Sequence, residues 1–448
     1  MSERISLYEQ LYTDIKRDIL DGKLPDGSKL PSKRAQAERL GVSVITVENA
    51  YSQLLAEGYI AARERSGYYV CAGDICDALP AKSPYETEED VPEDNIPESA
   101  SHETVFPFSV WTRLMRTVIL EKNSAMLAPV PPGGAPELQR AISAHLKAFR
   151  GINVPPHRII VGAGTEYLND LLVKLLGNSL TYAVENPGYH KPARIYRLNG
   201  ALCLPISLDE QGISAEELYY KNVDVAHISP AHHFPTGVVM PISRRMELMR
   251  WAAQRNGYII EDDYDSEFRW SGRPVPAMFG LDTSGRVIYM NTFSMTIAPS
   301  VRIGYICLPA ELYERWKERM SFITCPVPAF EQYTLARFIE GGHFERHINR
   351  MRKHYRRIRE YTLDLAERFH AENSAPENAG LHFLMEIPDG SPLMKIYPEC
   401  GIRISPLSEH YDEGTEIPTD TAGKYVVNFA GADTGKLAEA AESTKSGA

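Results

Sequence analysis

No stretch of the 448-residue sequence stays apolar long enough to cross a bilayer, so a helical membrane protein is not expected. The first residues, Met1 to Leu7, carry Glu3 and Arg4 and lack the apolar core of a secretory leader. Cysteine is sparse. Cys71, Cys76, Cys203, Cys307, Cys325 and Cys400 are scattered, with no CxxC pair and no Cys/His cluster at metal-ligand spacing. They are expected to be reduced thiols in a cytoplasmic protein that holds no metal. Excess positive charge is missing too. A net charge of −11 argues against a chain that binds nucleic acid over its whole surface. It leaves room for a small DNA-binding head, because charge must be judged domain by domain. No internal repeat is visible.

What is present falls into three parts. Residues 1–70 balance ten acidic against ten basic side chains. Residues 71–104 hold ten acids and one lysine, Lys82, and are rich in proline. Such a segment buries too little apolar surface to offset its ordering entropy, so it reads as an acidic flexible linker. Residues 105–448 are nearly balanced and rich in apolar segments, as a large globular domain requires.

In the first part, Leu7, Leu11, Ile15 and Ile19 recur every four residues and Gly22 ends the run, which predicts an amphipathic helix. Pro25-Asp26-Gly27 is a turn. Ser32 is placed to cap a short helix, Lys33–Leu40, that Gly41 stops. Ser43 is placed to cap another, with Val47, Ala50, Tyr51, Leu54 and Leu55 on one face. Two capped helices joined through Gly41-Val42-Ser43 have the layout of a helix-turn-helix. The β-prone runs Tyr59–Ala62 and Tyr68–Val70 flank a polar glycine turn and predict a hairpin wing. Gly27-Ser28-Lys29-Leu30-Pro31-Ser32-Lys33-Arg34, Leu40-Gly41-Val42-Ser43, Thr46-Val47 and Glu57-Gly58-Tyr59, at fixed spacing and in order, resemble the GntR-type winged helix-turn-helix. The resemblance implies that the second helix enters the major groove of double-stranded operator DNA with Ser43, Val44, Ile45 and Thr46 at its leading end. Lys33 and Arg34 are then candidates for phosphate contacts, and Arg65 and Gly67 of the wing for the minor groove. Many relatives carry an arginine after the serine; here the apolar Val44-Ile45 would meet thymine methyl groups instead. A helix-turn-helix that only packs or dimerises would share these features.

The third part alternates strand and helix. Strands are expected at Arg158–Val161, Thr181–Val184, Ala201–Ile206, Val223–Ile228, Tyr258–Glu261, Val287–Asn291 and Ile303–Leu308, with helices such as Glu166–Leu176 and Ser243–Arg255 between them. This is the signature of an α/β fold with a mostly parallel sheet, followed by a C-terminal α+β segment from about Gly380. Gly162-Ala163-Gly164-Thr165 follows a strand and opens a helix, whose free N–H groups suit a phosphate, although a tight βα turn looks the same. Ile259-Ile260-Glu261-Asp262-Asp263-Tyr264 brings carboxylates to a strand's C-terminal end, where open α/β sheets bind ligands. A helix cap or a solvent-facing strand end would read alike.

With Phe106-Pro107-Phe108-Ser109, Glu185-Asn186-Pro187-Gly188-Tyr189, Ser229–Gly237 and Asn291–Tyr305, these segments resemble fold type I pyridoxal-phosphate (PLP) enzymes of the aminotransferase class. Joined to the head, the chain resembles the MocR-type regulators over nearly its whole length. The resemblance implies a cofactor site in which Gly164, Thr165, Thr292, Ser294 and Arg302 hold the phosphate, Tyr189 stacks on the ring, Asp262 pairs with the pyridine nitrogen and Tyr264 hydrogen-bonds the phenolic oxygen. It also implies a homodimer, with two heads on two half-sites. One position departs. Where the family carries the lysine that binds the cofactor covalently and shuttles protons, this chain has Met295, which has neither amine nor titratable proton. Near the C-terminus, Val426 stands at the place of the arginine that clamps substrate carboxylates, with Arg403 as an alternative anchor. The expectation is a DNA-binding regulator that senses a small effector, PLP or PLP-like and held non-covalently, with no catalytic residue. The alternatives are an aminotransferase carrying a DNA-binding domain, and a regulator whose large domain is a scaffold. The basic helical stretch Gly342–Arg352 is either a solvated face or a dock for linker, head or DNA phosphate.

Overall fold

The computed structural model describes residues 7–63, 66–71, 106–270, 275–373 and 379–444. Its contacts divide the chain into two units, Met1–Ile96 and Pro97–Ala448. Nearly all of the expected acidic linker lies outside the described residues, as does Arg65.

The first unit is a three-helix head with a hairpin. Helices α1 (Leu7–Leu20), α2 (Lys33–Leu40) and α3 (Val44–Ala56) precede strands β1 (Ile60–Arg63) and β2 (Gly67–Val70). Both expected caps form. Ser32 Oγ accepts from the Ala35 amide at 3.2 Å, and Ser43 Oγ accepts from the Thr46 amide at 3.1 Å. Gly41 ends α2 at φ +65°, a left-handed conformation that costs glycine nothing. Leu11, Ile15 and Ile19 close over Val47, Ala50, Tyr51 and Leu54, with Ile60 and Val70 of the hairpin completing the core. Leu7 belongs to the same periodic run yet is exposed, since it lies beyond the end of that core. Strands β1 and β2 pair antiparallel from Ile60↔Val70 to Arg63↔Gly67, which is the expected wing.

The second unit opens with α4 (Phe108–Lys122) and α5 (Pro136–Arg150), then alternates. Strand β3 (Ile159–Gly162) leads to α6 (Thr165–Leu176), β4 (Thr181–Asn186) to α7 (His190–Leu198), and β5 (Leu202–Asp209) to the short β6 (Gly212–Ile213) and α8 (Ala215–Tyr220). β7 (Val225–Ile228) is followed by α9 (Ile242–Arg255), β8 (Tyr258–Asp262) by α10 (Met278–Leu281), and β9 (Val287–Thr292) by β10 (Gly304–Cys307). These strands form one eight-stranded sheet in the order β3-β10-β9-β8-β7-β4-β5-β6. Its centre, from β9 to β5, is parallel, while β10 runs antiparallel to both neighbours and β6 antiparallel to β5. The expected mostly parallel sheet is therefore present. Its strands read as largely apolar runs because helices cover both faces.

Beyond the sheet come α11 (Ala310–Met320), α12 (Ala329–Glu340) and the long α13 (His343–Arg368). Phe344 and Ile348 of α13 sit in the core under the large sheet. Farther along, its Met351, Tyr355, Ile358 and Leu365 sit in a second core. That core backs a four-stranded antiparallel sheet, β11 (Glu372–Asn373), β12 (His382–Glu386), β13 (Arg403–Pro406) and β14 (Lys424–Asn428), in the order β11-β12-β14-β13. With α14 (Leu393–Glu399) and α15 (Thr434–Ser443) this is the α+β segment expected after Gly380. No described helix is long and apolar enough to cross a membrane.

Candidate functional site

In the head, the leading turn of α3 is exposed and apolar: Val44 is 43% and Ile45 68% exposed. A helix that kept these side chains for its own core would not turn them to solvent, and Ser43 and Thr46, bonded hydroxyl to hydroxyl at 2.8 Å, fix the turn that presents them. Arg34 is exposed on α2 and has no ion pair among the described residues, as a phosphate contact requires. Lys33 differs, being held by Glu48 at 2.6 Å beside the Tyr68 ring. Gly67 opens β2 at φ +112°, with the Lys29 stem packed where a side chain would point.

In the large unit the expected cofactor residues gather at the C-terminal ends of β3, β8 and β9. Gly164, at φ +90°, precedes α6, and an added Cβ would come within 2.9 Å of the Arg302 guanidinium. Arg302 itself is left-handed at φ +48° and reaches across to the start of this helix. Thr165 is the first residue of α6. At the end of β9, Thr292 Oγ donates to Ser294 Oγ at 3.1 Å, while the Ser294 amide donates back to Thr292 Oγ at 3.2 Å. Two hydroxyls, a guanidinium and a helix N-terminus thus share one corner, a donor set that suits an anion.

The three acids that end β8 have three different fates. Glu261 is fully buried and accepts the Met278 and Phe279 amides at 2.9 Å each, capping α10. Asp263 is buried against the Arg150 guanidinium at 2.9 Å and accepts from Tyr289 at 2.6 Å. Asp262 points its side chain to the opposite face of the strand and keeps a buried carboxylate oxygen, Oδ1, without a hydrogen-bond partner, as Asp263 does on its own face. Its Oδ2 faces His227 Nε2 at 3.4 Å, and His227 Nδ1 in turn meets the Tyr196 hydroxyl at 2.5 Å. The Tyr264 hydroxyl is buried and makes no hydrogen bond of ordinary geometry. Burial, then the Asp265 and Asp262 charges, hold its proton affinity well above the usual phenol range. Unpartnered buried polar atoms are costly unless something fills them, and Asp262 Oδ1 and Tyr264 Oη are two such atoms whose chemistry fits a polar ligand. Glu185 is also enclosed there: burial pushes its carboxyl up to about 8 against the Ser229 amide it accepts at 2.9 Å.

Residues 7–70 match the family of bacterial regulatory proteins of the gntR type, and residues 97–442 match aminotransferase class I and II. The HTH-type transcriptional regulator YdeL of Bacillus subtilis (strain 168) is 36% identical over 98% of this chain and 96% of its own. The probable rhizopine catabolism regulatory protein MocR of Rhizobium meliloti is 32% identical over 99% and 94%. The HTH-type pyridoxine biosynthesis transcriptional regulator PdxR of Corynebacterium glutamicum is 30% identical over 92% and 90%. The chain belongs to the MocR-type transcription regulators. Among solved structures, the Pyrococcus horikoshii kynurenine aminotransferase in complex with PMP superposes with a TM-score of 0.63 at 25% identity, covering 75% of the regulator and 86% of that chain. The regulator thus joins a GntR-type DNA-binding head to a fold type I aminotransferase-like domain, a fold that in general binds PLP.

Within the regulator, Met295 is partly buried and packs with Trp270 against the second core. Tyr189, at the start of α7, is 49% exposed and stands edge-on to Phe234 at 6.3 Å. Val426 is buried with Leu384 and Leu407, so no cation stands at that place on β14; Arg403 is exposed on β13. His232, given no chemistry by the sequence, accepts or donates to Asp265 at 2.8 Å and packs on His382 of β12, tying the small sheet to the loop after β7. Arg245 holds that loop through the Pro230 and Met240 carbonyls and ties it to the Pro276 carbonyl ahead of α10. Two further residues escaped the sequence. His227 interrupts the apolar strand Val225–Ile228, a signal that was there to be seen. Glu166 places a carboxylate on Arg302 at 2.6 Å and on Lys191 at 3.1 Å. Burial opposes its ionisation, but Arg302, its own backbone amide and Lys191 outweigh it and hold the carboxyl at about 2.

Proposed function

We propose that this regulator binds operator DNA through its head as a homodimer and senses PLP, or a ligand shaped like it, held without a covalent bond in the large domain. Gly164, Thr165, Thr292, Ser294 and Arg302 receive the phosphate, Tyr189 flanks the ring, Asp262 meets the ring nitrogen and Tyr264 the phenolic oxygen. PLP bound there supplies an electron-withdrawing ring; the chain's part is to orient it and to exclude water. His227 holds Asp262 through Oδ2 and leaves Oδ1 open, and Arg245 holds the loop after β7 through the Pro230 carbonyl. Without an amine at Met295 the domain has no group to move a proton to or from a bound amino compound, so transaminase turnover is absent. That PdxR carries pyridoxine biosynthesis in its name supports a vitamin B6 compound as the effector class.

The observation that carries this reading is the pairing of an intact polar frame with Met295: the buried open Oδ1 of Asp262 and the unpartnered Tyr264 hydroxyl persist where the lysine does not. A scaffold domain would gain stability by filling such positions with apolar side chains. The test is a titration of the purified protein with PLP, followed by dialysis and a borohydride trap. Saturable binding without a reducible adduct supports the reading. No binding makes the domain a scaffold or a sensor of another ligand, and a trapped adduct reopens the enzyme.

A further inference from the structure

Beside the proposed effector frame, three side chains of metal-ligating type converge in the interior of the large domain. His232 comes from the loop after β7, Asp265 from the turn after β8 and His382 from strand β12 of the small sheet. One ligand atom of each lies within 4.8 Å of the others. All three are buried, at 2%, 2% and 4% exposure. They stand far apart in the chain, so no spacing motif announces them.

The group is not self-sufficient. The Asp265 carboxylate meets His232 Nδ1 at 2.8 Å, and among the described residues no lysine or arginine pairs with it. Asp263 and Asp262 bear on it with charge of its own sign. Arg150 is committed to Asp263, and Arg245 to backbone carbonyls and Glu261. A buried carboxylate beside like charges and without a cation is costly. His382 Nε2 is buried with no hydrogen-bond partner, a second cost. The frame is nevertheless fixed. Gly380, at φ +78°, lays its backbone so close to the His232 ring that an added Cβ would fall 1.8 Å from Cε1. The Gly380 amide donates to the Phe268 carbonyl at 2.8 Å, and its carbonyl accepts from Trp270 Nε1 at 3.1 Å. The segment that bears His382 thus also positions His232, and the two rings stand 4.4 Å apart.

We propose that His232, Asp265 and His382 form a metal site that takes one divalent transition-metal ion, Zn²⁺ by its donor set. Two imidazole nitrogens and a carboxylate oxygen are three of the four ligands such an ion needs, and a water completes the tetrahedron. Arg269 bears on His232, which disfavours a hard cation held by charge alone and favours an ion that bonds nitrogen. The ion replaces the proton that His232 and Asp265 share, offsets the surplus of buried carboxylates and gives His382 a partner. Its role is structural: it pins the small sheet to the loop after β7. The site stands whether or not PLP is the effector.

The test uses the full chain, stripped with a chelator and titrated with Zn²⁺ against a chromophoric competitor. Bound metal is counted by mass spectrometry after gel filtration. One ion per chain is expected, with a Tm that rises with Zn²⁺ concentration, because only the folded chain holds the three ligands together. His382→Gln is expected to lower affinity by more than about 100-fold, since loss of even an outer hydrogen-bond partner of a ligand costs roughly 10- to 100-fold. Asp265→Asn, which keeps a hydrogen bond to His232, is expected to do the same, and it decides the matter should His382→Gln fail to fold. Cys71→Ser/Cys76→Ser and His190→Gln/His410→Gln, which remove thiols and a stacked imidazole pair elsewhere, leave the ion in place. Co²⁺ gives a readout in the unaltered protein: visible bands of a four-coordinate nitrogen and oxygen set, without the near-ultraviolet charge transfer that a thiolate brings. The site is overturned if the stripped chain takes up no stoichiometric ion, which would leave a shared proton as the whole of the His232–Asp265 tie. It is overturned equally if the thiolate band appears, or if either folded variant holds Zn²⁺ as tightly as the parent.

Discussion

The Arg302 guanidinium donates to the Glu166 carboxylate at 2.6 Å, in the corner where a phosphate would be received. Glu166 therefore already places a negative charge in this corner, and an incoming anion would compete with it for Arg302. A carboxylate held at about 2 does not leave by protonation near neutral pH. It leaves only by exchange for a better anion, and that sets a threshold on ligand affinity.

Glu166→Gln removes the competitor while keeping the side chain's shape. Inorganic phosphate and PLP are expected to bind about fivefold more tightly, since a half-exposed ion pair contributes up to ~1 kcal/mol. Calorimetric titration with each ligand measures it. Weaker binding would mean that Glu166 orients Arg302 rather than competing for it.

Asp262→Asn keeps a hydrogen-bonding group but loses the carboxylate proposed to face the ring nitrogen. PLP affinity is expected to fall by roughly 10- to 100-fold, the worth of a hydrogen bond to a charged group. Inorganic phosphate, which needs only the other corner, is expected to bind as before. An equal loss for both ligands would indicate a folding defect instead.

Met295→Lys returns an amine to the segment Ser294–Thr296. With PLP and borohydride, the variant is expected to gain one phosphopyridoxyl group by intact-mass spectrometry, and the parent none. The cost in stability is about 1 kcal/mol, because a lysine stem replaces most of the apolar contact and its end can reach solvent.

Ile45, exposed at the leading turn of α3, is expected to touch thymine methyl groups. Replacing thymine by deoxyuridine in the bound site should weaken the parent about fourfold per contacted methyl, at ~0.8 kcal/mol each. Ile45→Ala should be insensitive to that replacement. Equal sensitivity in the two proteins would place the contact elsewhere.

His145 stacks on Phe149 at 5.4 Å, and burial pushes its proton affinity down to about 4. The unfolded chain takes up this proton below about 6.5, whereas the folded chain does so only near 4. Stability is therefore lost as pH falls through that window. His145→Phe should lessen the pH slope of unfolding free energy there by about 1.4 kcal/mol per pH unit, one proton's worth. Urea unfolding at several pH values checks this.

The head was legible because its signals are local. Ser32, Ser43 and Gly41 cap or stop helices within a few residues of themselves, and the hairpin needs only one turn. The large sheet was legible as a set of apolar runs, since strands covered on both faces carry little else. The order of those strands was not, because it depends on crossovers that no window of sequence contains. Strand β10, between β3 and β9 and antiparallel to both, is the clearest case. At the site, Glu261, Asp262 and Asp263 look alike in sequence. Strand alternation separates them, sending Glu261 and Asp263 to a face already furnished with Arg245 and Arg150, and Asp262 to the other. Glu166 stayed hidden because its partner Arg302 lies 136 residues away.

One helix belongs to two cores. The first turns of α13 are fixed under the eight-stranded sheet by Phe344 and Ile348, and its later turns under the four-stranded sheet by Tyr355, Ile358 and Leu365. At 26 residues it is roughly 39 Å long. A tilt of about 5° at one end sweeps the other through roughly 3 Å. The helix is thus a lever whose fulcrum is one hydrophobic core and whose load is the other, so a shift of the small sheet against the large one must tilt or bend it.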